Sequence, residues 1–525
     1  MKRAERFAIA LVCSQLVGSA LLADEPAPAV AVSATAPAPT GEPLLEKLLK
    51  GFYGSLDVSF DYTTKGIGGL VGYPYQLNDP NNPASGFSPA GGPKGGPVGR
   101  VDWMPAMSTN KSAIGYRGEH RIGDSPVGFL YQVEAGVAIT ASPGVSTGWV
   151  AQSNAVKTAI GAGDTYVGFR HPEFGSIKFG TTYSPYKKST DRMNPFAGQI
   201  GDYAVVMGNS GGDNRVEFGT RLDHSIWYES PKLFGALSLD LLWSPGQNRT
   251  YDNVIQSAGS PDCNGGNQPG SGNLPLNCDD GGFGDGLAAA ARFEYGGLYL
   301  TGAFEWHYQV NRNSDGIGSN NPLYAYFTTA YPDEVISATN NPQGLPGPAL
   351  GGYVHDIGNE WATKLGAQYS FGFGLTVGAI YEWLRRSVPA NLVFQNERSR
   401  DGLWLTASQK IGNGTISAGW GHAFKTPGDP GGQHDYNPLS PDNSADMFTL
   451  AYKHQLDKQV AAYFAFADTI NTANAHYDLG AGGRGVTTDC HDGTNTVVTD
   501  YSGAGPTTWG GCHAVGLSAG VSYKF

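Results

Sequence analysis

The residues that could act together lie along one charged stretch of the 525-residue chain and on the segments around it. After Pro185 the sequence offers Asp191, Asp202, Asp213 and Glu217 against Lys187, Lys188, Arg192 and Arg215. Flanking segments add Arg117, Glu119, Arg121, Glu134, Arg170, Lys178 and Lys364, each at the polar phase of a two-residue alternation. Charges of both signs at this density suit electrostatic sorting of ions in a water-filled passage. Glu119 and Glu134 are placed to pair with the arginines, which would weaken any preference for anions. Catalytic patterns do not emerge: there is no nucleophile elbow between a strand and a helix, and no His-Glu-x-x-His site. His224, His307 and His422 show no evident partner in the sequence, so no enzyme is expected.

Positioning those groups falls to strands. In FYGSLDVSFDY, Phe52, Leu56, Val58, Phe60 and Tyr62 share one face and Tyr53, Ser55, Asp57, Ser59 and Asp61 the other. The same texture returns in VGFLYQVEAGV, LYLTGAFEWHY, WATKLGAQYSF and FGLTVGAIYEW, and no helix-period segment of normal length follows Gly51. Short turns are expected at 123–126, 171–175, 231–235, 296–297, 372, 412–414 and 456–458. Long loops rich in Gly, Asn, Pro and Asp alternate with them. Fifteen connections make sixteen strands, with both chain ends on the short-turn side. This is the layout of an all-β transmembrane antiparallel β-barrel, with short periplasmic turns, long extracellular loops and one loop folded into the lumen. Aromatic residues near strand ends, among them Tyr62, Trp227, Trp243, Trp306 and Trp420, are expected to form interfacial girdles.

Lys2, Arg3 and Arg6 precede an apolar run from Phe7 to Ala23, the pattern of a signal peptide over 1–23. Its removal leaves 31 basic and 45 acidic side chains, a net charge near −14. That balance argues against nucleic acid and against an anionic membrane surface as partners. Residues 24–51 read as a Pro/Ala-rich periplasmic tether with a short amphipathic helix from Pro43, and 52–525 as the barrel. Cys263 with Cys278 and Cys490 with Cys512 form two local pairs, suited to disulfides in an exported chain. Zinc at the second pair, with His491 and His513, is the weaker alternative. GAGGRG at 480–485 lacks the flanking strand and helix of a nucleotide site, and CDDGGFGDG at 278–286 lacks the closing Glu of a calcium loop. No cofactor and no metal are expected.

Three stretches carry a family likeness: KSAIGYRGEHRIG (111–123), GDTYVGFRHPEFGSIKFGTTYSPY (163–186) and DHSIWYESPKLFGALSLDLLWSP (223–245). Together with the terminal Phe525 they resemble Gram-negative general porins, at the second strand, the fourth and fifth strands entering the constriction loop, and the sixth and seventh. The resemblance implies a homotrimer in the outer membrane, contacting lipid and lipopolysaccharide, with passive diffusion of small hydrophilic solutes through each barrel. It implies a basic wall, here Arg117, Arg170 and Lys178, facing acidic loop groups, here Asp191 and Asp202. Lys187, Asp213 and Glu217 complete the expected constriction, and Glu119, Arg121, Glu134 and Lys364 the wall around it. Tyr523 and Phe525 resemble the terminal signal read by the barrel-assembly machinery. The likeness departs at Gly180–Thr181, where many relatives carry an Arg after the Gly. A substrate-selective channel for sugars or anions is the alternative, ahead of a surface barrel enzyme or a cell-wall tether.

Overall fold

The computed structural model describes residues 50–70, 99–110, 112–137, 139–140, 163–208, 218–245, 285–311, 357–387, 399–425, 444–472, 477, 479 and 513–525, with two small hairpins at Tyr75–Leu77/Phe87–Pro89 and Val335–Ser337/Gly352–Val354. The signal segment, most of the tether, Asp213, Glu217 and the four paired cysteines lie outside the described residues.

Sixteen antiparallel strands close into a barrel. They are β1 (Phe52–Leu70), β2 (Gly99–Thr109 continuing as Ala113–Arg121), β3 (Gly128–Gly136), β4 (Thr165–His171), β5 (Gly175–Tyr183), β6 (Arg221–Glu229), β7 (Leu237–Pro245) and β8 (Asp285–Tyr295). There follow β9 (Leu298–Asn311), β10 (Ile357–Ser370), β11 (Leu375–Arg386), β12 (Arg400–Ile411), β13 (Gly414–Ala423), β14 (Ala445–Gln455), β15 (Val460–Asn471) and β16 (His513–Lys524). All seven expected short turns join odd and even partners in this order, so the sixteen-strand reading holds.

The seam pairs β1 with β16, from Ser55 opposite Lys524 to Thr63 opposite Gly516, and Gly54 and Phe525 exchange backbone bonds of 3.1 Å below it. No edge is left for lipid to meet, which a strand-built membrane protein requires. Alternation inverts the soluble pattern: Phe60, Val167, Phe179, Leu241, Leu300, Leu365, Leu450, Phe464 and Val521 are exposed on the outer face, while Ser59, Asp61, Thr301, Thr449 and Ser518 are buried inside.

Two irregularities shape the wall. Between the halves of β2, Asn110 turns inward and donates its amide to Asp57 Oδ1 (2.9 Å), Ser59 Oγ (3.1 Å) and the Tyr463 hydroxyl (2.8 Å). At the outer end of β5 the register with β6 slips between Gly180 and Thr182. Gly180 has φ 148° and a Cβ there would lie 2.2 Å from the Thr165 carbonyl oxygen, so no side chain fits. Thr181 donates its hydroxyl to the exposed Asp223 (3.0 Å). The slot where relatives carry an arginine is thus spent on a bulge.

The candidate constriction site

After β5 the chain turns inward. Ser184 caps a single helical turn, α1 (Pro185–Lys188), by accepting from Lys187 N, and two 3-10 turns follow at Asp191–Met193 and Tyr203–Val205. One side of this loop is apolar. Met193, Phe196, Ile200, Tyr203, Val206 and Met207 pack with Tyr299, Ile380, Trp404, Met447 and alanines at 423, 445, 465 and 467 on the inner wall. The barrel therefore has a hydrophobic core inside its lumen, between the loop and β9–β16. Trp404 is its centre: it is fully buried, its ring lies 6.1 Å from Phe196 and 5.8 Å from Tyr203, and its Nε1 donates to Met193 O at 3.2 Å. Gly419 on the next strand leaves room for the indole, since a Cβ there would fall 2.4 Å from it.

Buried carboxylates fasten the loop's polar atoms. Glu382 of β11 accepts from the Tyr186 hydroxyl and from Gly208 N, both at 2.7 Å. Arg400 of β12 sits 4.0 Å from Glu382 and donates to Val206 O. Tyr299 donates to Ser189 O at 2.6 Å, and the Lys364 ammonium lies 3.9 Å from the centre of the Tyr186 ring.

The loop's other side bears charge toward the wall of β1–β6. Arg221 pairs with Asp164 (3.0 Å), and its guanidinium lies over Tyr183 at 4.2 Å. The Lys187 ammonium lies 5.9 Å from the centre of the Tyr183 ring and pairs with Asp191 at 3.8 Å. Lys188 donates to Thr182 Oγ1 at 2.6 Å and lies 3.9 Å from Asp164. On the wall, Arg117 stacks over Tyr53 at 4.6 Å, and Tyr53 donates to Glu134 at 3.0 Å. Lys178 pairs with Glu229 at 2.6 Å, against the rings of Tyr166 (4.9 Å) and Trp227 (5.9 Å). Cations and carboxylates alternate across this face with aromatic rings between them, so the lining carries a strong local field and little net charge.

The two loop lysines differ. Burial works to lower Lys187, but the Tyr203 hydroxyl and the Asp191 and Asp202 carboxylates overcome it, and its ammonium is held above the usual lysine range. Burial lowers Lys188, and Asp164 and Glu229 only partly offset this. As pH rises toward the lysine range, Lys188 should lose its charge before Lys187. Reversal potentials in a salt gradient should then drift toward cation preference with rising pH, and K188M should lack the early part of that drift.

Several expected site residues sit elsewhere. Arg170 faces Ser176, two residues before the turn at 172–174, and meets Glu119 at 3.4 Å with both side chains well exposed. Arg121 donates to Ser125 O and Asp124 O and closes its own turn. Register places these three at the short-turn rim, away from the loop. Asp202 is buried inside the loop, where it accepts from Asn194 Nδ2 (2.7 Å), Gly198 N (2.7 Å) and Ala204 N (3.0 Å); it holds the loop's shape and does not face the wall. Lys364 lies beneath Tyr186. Trp227, expected in a girdle, points inward beside Lys178. Reading the sequence missed Asp164, Arg221, Glu305, Glu382, Arg400 and Trp404. Asp164 lies within the second quoted motif and Arg221 just before the third, and inner-face parity with Thr301 was the available signal for Glu305.

Comparison with known families decides the assignment. A family model described as Gram-negative porin matches residues 29–475, most of the chain. The chain is a member of the Gram-negative porin family. No curated protein matches it. Among solved structures, an anion-selective porin from Comamonas acidovorans is similar at 14% identity and TM-score 0.51, covering 90% of this porin and 98% of that chain. OmpT of Vibrio cholerae is similar at 10% identity and TM-score 0.47, covering 90% and 96%. The outer membrane channel DcaP of Acinetobacter baumannii aligns at 12% identity and TM-score 0.45, covering 90% and 96%. The porin lies in the outer membrane and forms a channel for passive diffusion.

Proposed function

We propose that ions and small hydrophilic solutes pass between the charged edge of the inward loop and the inner face of β1–β6, and that Arg117, Glu134, Asp164, Lys178, Lys187, Lys188, Asp191 and Arg221 line the narrowest part. The observation that carries this is the continuous run Asp164–Arg221–Tyr183–Lys187–Asp191, which joins wall to loop across the lumen. Opposed charges on two sides of a narrow aqueous slit orient water and favour polar over apolar solutes. Five basic groups against three carboxylates, with Glu229 beside Lys178 as a fourth, predict a weak preference for anions. Replacing Arg117 or Arg221 with Gln should move reversal potentials toward cations. At roughly 10 Å through water one unit charge is worth about 0.4 kcal/mol, about a twofold change in the anion-to-cation permeability ratio. An unchanged ratio in both variants would place the constriction elsewhere. Linear current without saturable block by sugars or organic anions would support general diffusion over a substrate-selective pore; the family assignment supports a channel over a surface enzyme.

The porin works as a homotrimer in this reading. β4 has seven residues, while a tilted strand needs about 9–11 to cross the hydrocarbon core. Protein from a neighbouring copy, in place of lipid, would cover that sector. Chemical cross-linking in outer-membrane vesicles should give a three-subunit species, and a monomer alone would refute the arrangement. Tyr523 and Phe525 stay exposed at the seam, with ring centroids 5.6 Å apart, consistent with recognition of the last strand during assembly.

A further inference from the structure

His307 lies on the inner face of β9, fully buried, with both ring nitrogens facing carboxylates. Nε2 is 2.9 Å from Glu305 Oε1 and Nδ1 is 2.8 Å from Glu360 Oε1. Carboxylate oxygens only accept, so a ring held this way carries two N–H groups and a positive charge. The second oxygen of Glu305 takes both roots of the inward loop: Ser184 Oγ donates to it at 2.5 Å before α1, and Gly219 N at 3.1 Å where the loop returns to β6. Phe218, next to that returning root, stacks on the imidazole at 4.7 Å with the planes 12° apart. One carboxylate thus ties down the entry and the exit of the segment that narrows the pore, and one histidine orients and neutralises that carboxylate.

We propose that His307 is a positioning residue for the constriction, an imidazolium that locks the two roots of the loop to the wall through Glu305. This rests on the loop being the constriction. The charged groups facing the cluster come from three strands and the loop: Glu305 from β9, Glu360 and Lys364 from β10, and Arg386 from β11, which meets Glu360 Oε2 at 3.3 Å. The Tyr186 hydroxyl, on the loop side, is directed to Glu382. Removing the imidazolium leaves Glu305 and Glu360 buried beside one another without the cation between them, and their repulsion loosens the grip on Ser184 and Gly219.

The test is single-channel recording of the full-length porin in planar bilayers. H307F keeps a ring against Phe218 and removes both N–H groups. It should show several-fold more open-channel noise and subconductance steps than wild type at neutral pH. The double variant H307F/E305Q, which keeps an acceptor for Ser184 and Gly219 and leaves no second charge beside Glu360, should be quieter than H307F. S184A, which removes one root bond and no charge, should give intermediate noise, and it tests the latch even where H307F fails to assemble. H307F as quiet as wild type at neutral pH, H307F/E305Q as noisy as H307F, or S184A identical to wild type would each overturn the proposal. Absence of conductance in wild type would instead defeat the pore reading, so the two failures are told apart.

Discussion

Replacing Trp404 with Ala unseats the inward loop and widens the pore. The indole contributes the largest fully buried side chain to the core between loop and wall, touches Phe196 and Tyr203, and binds Met193 O. Truncating a buried Trp costs about 3–5 kcal/mol through lost burial and the cavity left behind. Here the cavity opens beside the aqueous lumen, so water enters it and competes for the polar atoms the loop exposes. Most of that cost should fall on the loop, since the strands keep their own ladders on both sides of Trp404. The expected result is a folded barrel with a modestly lower heat-unfolding midpoint in detergent, and a larger, noisier single-channel conductance. A variant with wild-type conductance would show that the loop holds its place without this core.

The second large effect is at Glu382. Its two oxygens hold the Tyr186 hydroxyl and Gly208 N, and it faces the buried guanidinium of Arg400. Glu382→Ala strands that guanidinium, and breaking a buried pair from one side costs about 3–5 kcal/mol. Two donors lose their acceptor as well, each at about 1–3 kcal/mol where water does not replace it. Glu382→Gln retains an acceptor and removes the charge, so it should lose clearly less. The double variant Glu382→Ala with Arg400→Ala should recover part of the single variant's loss, because the stranded charge has gone. Heat-unfolding midpoints of the four proteins, with conductance as a second readout, check this. Strict additivity of the two single changes would show that the pair is not coupled.

Barrel and family were legible because both follow from local chemistry. Period-two alternation, turn residues at the right spacing and the terminal Phe525 act over a few residues, and a membrane admits strands only as a closed ring. Lumen parity for Arg117, Lys178 and Lys364 came from the same rule, and these side chains do lie on the inner face. Parity says nothing of height along the barrel. Arg170 shares the inner phase with Lys178 yet sits at the turn, because shear between strands, not sequence spacing, sets which residues come level.

The charged stretch after Tyr183 announced an inward, polar loop. By itself the sequence determined that such a loop exists, that it follows β5, and which charges it can offer. Only the tertiary structure decided which of them face the pore. The apolar residues of the loop had no periodic pattern to betray them, and their partners Trp404, Met447 and Ala465 lie more than two hundred residues away in three different strands. Packing within the loop turned Asp202 into an internal cap and left Asp191 exposed beside the more covered Lys187. Long-range packing brought Ser184 and Gly219 together on Glu305, for the physical reason that a buried carboxylate gathers whatever donors the closed barrel places within reach.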